Sequence, residues 1–134
     1  MNAETDLAAL IRNLEPRTLP ATYVFCSVEG ANYGALSHTS PLASFAEPEG
    51  LTLVLTRESA DEEGLSYEGT FRCISLQVQS SLEAVGLTAA VTGELAAHDI
   101  SANVIAGYHH DHIFVPSQEA ESARRVLETM SSRR

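Results

Sequence analysis

The residues best placed to do chemistry in this chain lie in the run QSSLEAVGL (79–87). Ser80 and Ser81 bring hydroxyls, Glu83 a carboxylate, and Gly86 a backbone that can pass close to a ligand or a neighbouring chain. The run leads into a segment of helical periodicity. The unpaired N–H groups and the dipole of a helix start favour a carboxylate or another anion there. The same residues also have a plainer use. Ser80-Ser81-Leu82-Glu83 has the S-x-x-E form of a capping box, and a glycine can simply permit close packing.

Other reactive residue types are present but badly arranged. His109-His110-Asp111-His112 offers imidazole and carboxylate ligands. Strand alternation sends His110 and His112 to one face and His109 and Asp111 to the other, and a tight turn scatters them further, so no metal is expected. Cys26 and Cys73 sit inside the apolar runs TYVFCSV and FRCISLQV and read as buried, reduced thiols. There is no G-x-S-x-G and no serine, histidine and aspartate set whose positions suggest convergence. No lysine occurs at all, since the 8 basic residues are all arginine; Schiff-base chemistry and a P-loop lysine are excluded. No catalytic residue and no cofactor is therefore expected.

Those arginines face 18 acidic residues, for a net charge of −10. Four of the eight (Arg124, Arg125, Arg133, Arg134) stand at the end of the chain, so the rest is more acidic still. Such a chain repels nucleic acid and anionic membranes, which both require clustered positive charge. No apolar run approaches the roughly 18 residues of a membrane span. The start, MNAETDLAALIRNLEP, is acidic and lacks the apolar block of a signal peptide, which predicts a soluble, cytoplasmic protein. At 44% hydrophobic and 19% charged, 134 residues suffice for a packed core.

The elements that must position the 79–87 run can be read from periodicity. Leu7, Leu10, Ile11 and Leu14 recur at helical spacing, with Thr5 or Asp6 as N-cap. Pro16 and Pro20 end that helix and begin an extended segment, and residues 22–28 read as a strand. Residues 29–41 are loop-like. Residues 42–46 and 51–56 bracket the turn signal EPEG as a hairpin, and residues 58–64 form a short acidic helix. The second half repeats the order: a strand at 71–79, a helix carrying Leu87, Val91 and Leu95, strands at 101–107 and 112–115, and a last helix at 117–130.

The two halves overlay. LTLVLTRESAD (51–61) corresponds to DHIFVPSQEAE (111–121) at an offset of 60, and TYVFCSV (22–28) to TFRCISL (70–76) at an offset of 48. The difference of 12 is about the length of a helix missing from the first copy. The chain reads as a divergent duplication of a β-α-β-β-α unit whose first helix is eroded in copy one. That order predicts an α/β (α+β) sandwich of antiparallel sheet with helices on one face.

At this point the second half resembles a known module. Gly86-Leu87 before a helix, the Leu87/Val91/Leu95 face, and the break and strand Ile100-Ser101-Ala102-Asn103-Val104 resemble the ACT domain. More narrowly, VGL…LAAHDISANVIAGYHHDHIFVP is similar to the paired ACT domains of aspartate-kinase regulatory regions and of CASTOR-type and other tandem ACT proteins. The resemblance covers 71–130 clearly and extends through the duplication over 20–64. It implies a ferredoxin-like ACT fold in two tandem halves: an N-terminal helix and linker (1–19), a degenerate ACT-like half (20–69) and an ACT domain (70–134). It implies a non-catalytic regulator that binds a small molecule, an amino acid, through Ser80, Ser81, Glu83, Val85, Gly86, Leu87 and Asn103. The ligand's carboxylate would meet the loop, and its ammonium would meet carbonyls or Glu83. A homodimer is the expected assembly. The alternative is a docking or dimerisation module that has lost its effector site.

Overall fold

A computed structural model describes residues 6–132. In chain order its elements are α1 (Leu7–Arg12), β1 (Pro16–Val28), β2 (Ala43–Glu47), β3 (Gly50–Thr56), α2 (Arg57–Glu62), β4 (Phe71–Leu76), α3 (Leu87–Ala97), β5 (Asn103–Ala106), β6 (Asp111–Pro116) and α4 (Ala120–Ser132). The fold is mixed α+β and ferredoxin-like. No helix of the described residues is long and apolar enough to cross a membrane. Thr5, one N-cap candidate for α1, lies outside the described residues, as do Arg133 and Arg134. Asp6 occupies the N-cap position in extended conformation, and its side chain makes no capping bond.

The chain divides into two compact units. One is continuous, Ala21–Phe71. Its strand order is β2-β3-β1, and both pairings are antiparallel, with Tyr23 opposite Thr56 and Ala43 opposite Val54. Leu51, Leu53 and Leu55 alternate onto one face of β3 and pack with Val24, Cys26 and Ala60. Thr56 starts α2 by accepting a hydrogen bond from the Ser59 N–H at 3.1 Å. Between β1 and β2 there is only a short 3₁₀ turn, Ser37–Thr39, flanked by Leu36 and Ser40 with positive φ. The helix absent from the sequence pattern is absent here too.

The other unit is discontinuous. Of the described residues it joins 6–20 with 72–132. Its strand order is β1-β4-β6-β5, and β5 pairs antiparallel with β6, with Asn103 opposite Phe114 and Ala106 opposite Asp111. A β-α-β-β-α-β unit requires a strand after its last helix. Here that place is taken by the first residues of β1, from the start of the chain. Arg72 Nη2 donates to the Leu19 carbonyl at 2.7 Å, and the Gln77 N–H donates to the Leu14 carbonyl at 3.0 Å, holding this segment in place.

The helices of this unit cover one sheet face. Ile74, Leu76, Ile113 and Val115 alternate onto it, and they pack against Leu87, Val91 and Leu95 of α3 and Ala120, Ala123, Leu127 and Met130 of α4. Helix α1 inserts Leu10, with fully buried Leu14 just beyond its end, into the same core. The Ser131 hydroxyl donates to the Arg12 carbonyl at 2.7 Å, which ties α1 to the end of α4. Helix α1 and the residues up to Pro20 thus pack with the discontinuous unit. On the outer side of α4, Arg124 pairs with Glu121 and with Glu128 (2.6 Å), an exposed i, i+3 and i, i+4 arrangement along the helix.

Candidate functional site

The loop that carries the site begins where β4 ends. Ser81 organises it as a turn: its hydroxyl accepts from the Glu83 N–H at 3.1 Å, and its carbonyl accepts from the Ala84 N–H at 2.9 Å. The expected capping box does not form. The helix starts six residues later, at Leu87, with Gly86 at the N-cap in a left-handed conformation (φ 102°). Ser and Glu in S-x-x-E close a turn as readily as a cap, and the residue able to reach positive φ decides where the helix begins. Among the described residues no side chain caps α3, and its first internal bond is from Ala90 N–H to the Gly86 carbonyl at 2.9 Å. The N–H groups of Leu87, Thr88 and Ala89 therefore form an open, partly positive end. A Cβ on Gly86 would lie 3.2 Å from Leu7 Cδ2, so α1 packs directly against this turn.

A cleft of about 150 Å³ opens at this helix start. Ser80, Ser81, Gly86 and Leu87, all expected from the sequence, line it. Thr88, Ala106 and Asp111 complete the polar side and the opposite wall. Glu83 and Val85 are exposed and lie outside the lining, Val85 with 83% of its surface in solvent. Asn103 is also elsewhere. On β5 it is Val104 that packs into the helix-covered core and Ala106 that reaches the cleft, so alternation turns Asn103 to the opposite face.

Asp111 is not among the residues expected from the sequence to bind the ligand. Its place in the His109–His112 run drew attention to metals, while its register opposite Ala106 puts it on the cleft wall. Burial pushes its carboxyl pKa up from 3.8, and the neighbouring His112 partly offsets this. A carboxylate that is costly to ionise in isolation gains from a cationic partner. The cleft thus offers a helix start for a negative group and a carboxylate for a positive one.

The neighbouring histidines have separate surroundings. Gly107 N–H bonds the His110 carbonyl at 2.8 Å and closes the turn; a Cβ on Gly107 would meet that oxygen at 2.9 Å. His109 stands edge-on to Tyr108 with ring centroids 5.1 Å apart, and the His112 Nδ1 is buried without a hydrogen-bond partner among the described residues. Among the described residues no three His, Cys, Asp or Glu side chains are grouped to hold a metal ion. Burial drives the Cys73 thiol up to about 12 and also raises that of Cys26, so neither supplies a thiolate near neutrality.

His112 has a measurable consequence. Burial lowers its pKa below 6.5, His110 lowers it further, and Asp111 acts in the opposite direction. The unfolded chain then binds a proton more readily than the folded one. The contribution of a neutral His112 is fully present above about pH 6.5 and is lost as pH falls through that value towards the lowered pKa. We expect urea midpoints between about pH 7 and 5 to fall less steeply in His112→Gln than in the wild type; parallel pH curves would show that the ring is not held neutral.

Against this geometry, two ACT-domain family models match the chain, one over residues 2–72 and one over residues 68–129. The chain belongs to the ACT-domain family. ACT domains are regulatory modules that typically bind amino acids, and this chain carries two in tandem. A solved Vibrio cholerae protein of unknown function, described as a possible transport protein, is 50% identical, with a TM-score of 0.84 over 93% of this chain and 95% of that one. An Agrobacterium tumefaciens structure shares the fold at 16% identity, with a TM-score of 0.72 over 87% of this chain and 88% of its own. The regulatory subunit of aspartate kinase from Thermus flavus shares it at 10% identity, with a TM-score of 0.64 over 87% and 96% of the two chains. No curated protein matches the sequence.

Proposed function

We propose that this tandem ACT protein is a non-catalytic sensor that binds a free amino acid in the cleft at the start of α3. The observation that carries this reading is the pairing, in one small cleft, of an uncapped helix start with the Asp111 carboxylate. The α-carboxylate of the ligand would take the N–H groups at Leu87–Ala89 and the hydroxyls of Ser80 and Ser81. Its ammonium would lie against Asp111, a role first sought at Glu83. Behind the cleft, Leu76, Val91, Val104 and Ile113 form a packed apolar wall. The cleft is well below the roughly 300 Å³ of sites for drug-sized molecules, which favours a small metabolite. A second copy of the chain is the partner we propose for passing on the signal.

Thermal-shift screening of the twenty amino acids, followed by calorimetric titration of those that respond, tests this reading. A ligand at about a hundred times its Kd should add about 2.7 kcal/mol of stability. Silence across the panel at millimolar concentration would remove the amino-acid sensor. It would leave the docking module, which the exposed Leu82 and Val85 on the same loop favour.

A further inference from the structure

We propose a second binding site, for a small oxyanion, in the groove between the C-terminal end of α3 and helix α4. The groove encloses about 270 Å³ and is lined by His98, Ser122, Arg125, Val126 and Thr129. Four of these lie at i, i+3, i+4 and i+7 on α4, so they form one face of that helix. His98 closes α3. The 11 residues of α3 place this groove about 15 Å along the helix from the cleft at its start.

Three features point to an anion. First, the lining holds a guanidinium, an imidazole and two hydroxyls and no carboxylate, in a chain with 18 acidic residues. Second, Arg125 makes no close pair, although its charge also acts on Glu121. Arg124 is held by Glu121 and Glu128, and Arg72 by the Leu19 carbonyl, whereas Arg125 has no ion pair or hydrogen bond among the described residues. Its fork of donors suits two oxygens of one ligand, with Ser122 and Thr129 one turn to either side.

Third, the tautomer of His98 is set. Its Nδ1 lies 3.0 Å from the Glu94 carbonyl, which can only accept, so Nδ1 carries the hydrogen. Nε2 of the neutral ring is then a lone pair, which meets an anion only after protonation. Binding therefore takes up a proton and tightens as pH falls. The acidic residues nearest His98 along the chain are Glu94 and Asp99, neither of which lines the groove. From α4, Arg125 shares the lining with His98, while Arg124 is paired with Glu121 and Glu128.

The test is an amide NMR titration of the full-length chain with sulfate, whose charge is constant between about pH 6 and pH 8, and in parallel with succinate. We expect saturable shifts at Ser122, Arg125, Val126 and Thr129, with binding at the lower pH tighter by about tenfold. Arg125→Gln, an exposed position, should weaken binding at least about tenfold with an unchanged melting temperature. His98→Gln should remove the pH dependence. Preference for sulfate would identify a phosphate- or sulfate-bearing ligand, and preference for succinate a carboxylate. Shifts that are linear in concentration, that persist in Arg125→Gln, or that centre on Leu87–Ala89 would overturn the proposal.

Discussion

Replacing Leu10 by alanine should lower the unfolding free energy by about 2–5 kcal/mol, as much as the same change at a central core position. Leu10 lies on a helix of six residues, too short to persist alone in water. It is nevertheless fully buried, in one cluster with Leu14, Leu95 and Leu127. Truncation removes the transfer free energy of the lost methyl groups and leaves a cavity between α1 and its neighbours that packed helices fill only in part. Against a total stability of about 5–15 kcal/mol, that loss is large. Urea titration of the full-length chain measures it, with Leu95→Ala as the core reference and Leu82→Ala, at 65% exposure, as the surface control. If Leu10→Ala matched the surface control, α1 would be an appendage, and the discontinuous unit would be incorrect.

How much of this fold is legible in the sequence follows from the range of each interaction. The EPEG hairpin, the apolar stripe of α4 and the strand-to-helix repeat at 51–61 and 111–121 are local patterns, and β2, β3, α2, β6 and α4 appear where those patterns place them. The identity of the fourth strand in the discontinuous unit is a long-range matter. Nothing near Pro16 announces that it will lie with residues after 71, because pairing partners are set by packing and not by local propensity. The site shows the same division. Ser80, Ser81, Gly86 and Leu87 follow from a loop-before-helix pattern and do line one cleft. Asn103 and Asp111 depend on strand parity, where a single residue of register exchanges the two faces. Val104 in the core and Ala106 opposite Asp111 settle that parity, and neither is evident before the hairpin is folded.

Asp111→Asn should weaken binding of the amino acid that most stabilises the wild type by tenfold or more, while leaving the empty protein at least as stable near neutral pH. The first half follows from charge. A hydrogen bond to a charged partner is worth about 1.5–3 kcal/mol, and asparagine keeps the shape of the wall while removing the counter-ion for the ammonium. The second half follows from the direction of the pKa shift. Burial raises the folded-state value above 3.8, so the folded chain holds this proton more tightly than the unfolded chain does. Stability from the neutral carboxyl is present below that value and declines as pH rises through the raised pKa; at neutrality the ionised group opposes folding. Asparagine carries no such penalty. The two halves together separate the roles of the residue: a structural aspartate would lose stability when neutralised, whereas a ligand counter-ion loses affinity without losing stability. Melting curves of both proteins, with and without the ligand, read both quantities. Unchanged affinity in Asp111→Asn would detach Asp111 from the site, and a drop in ligand-free melting temperature would make it a structural residue.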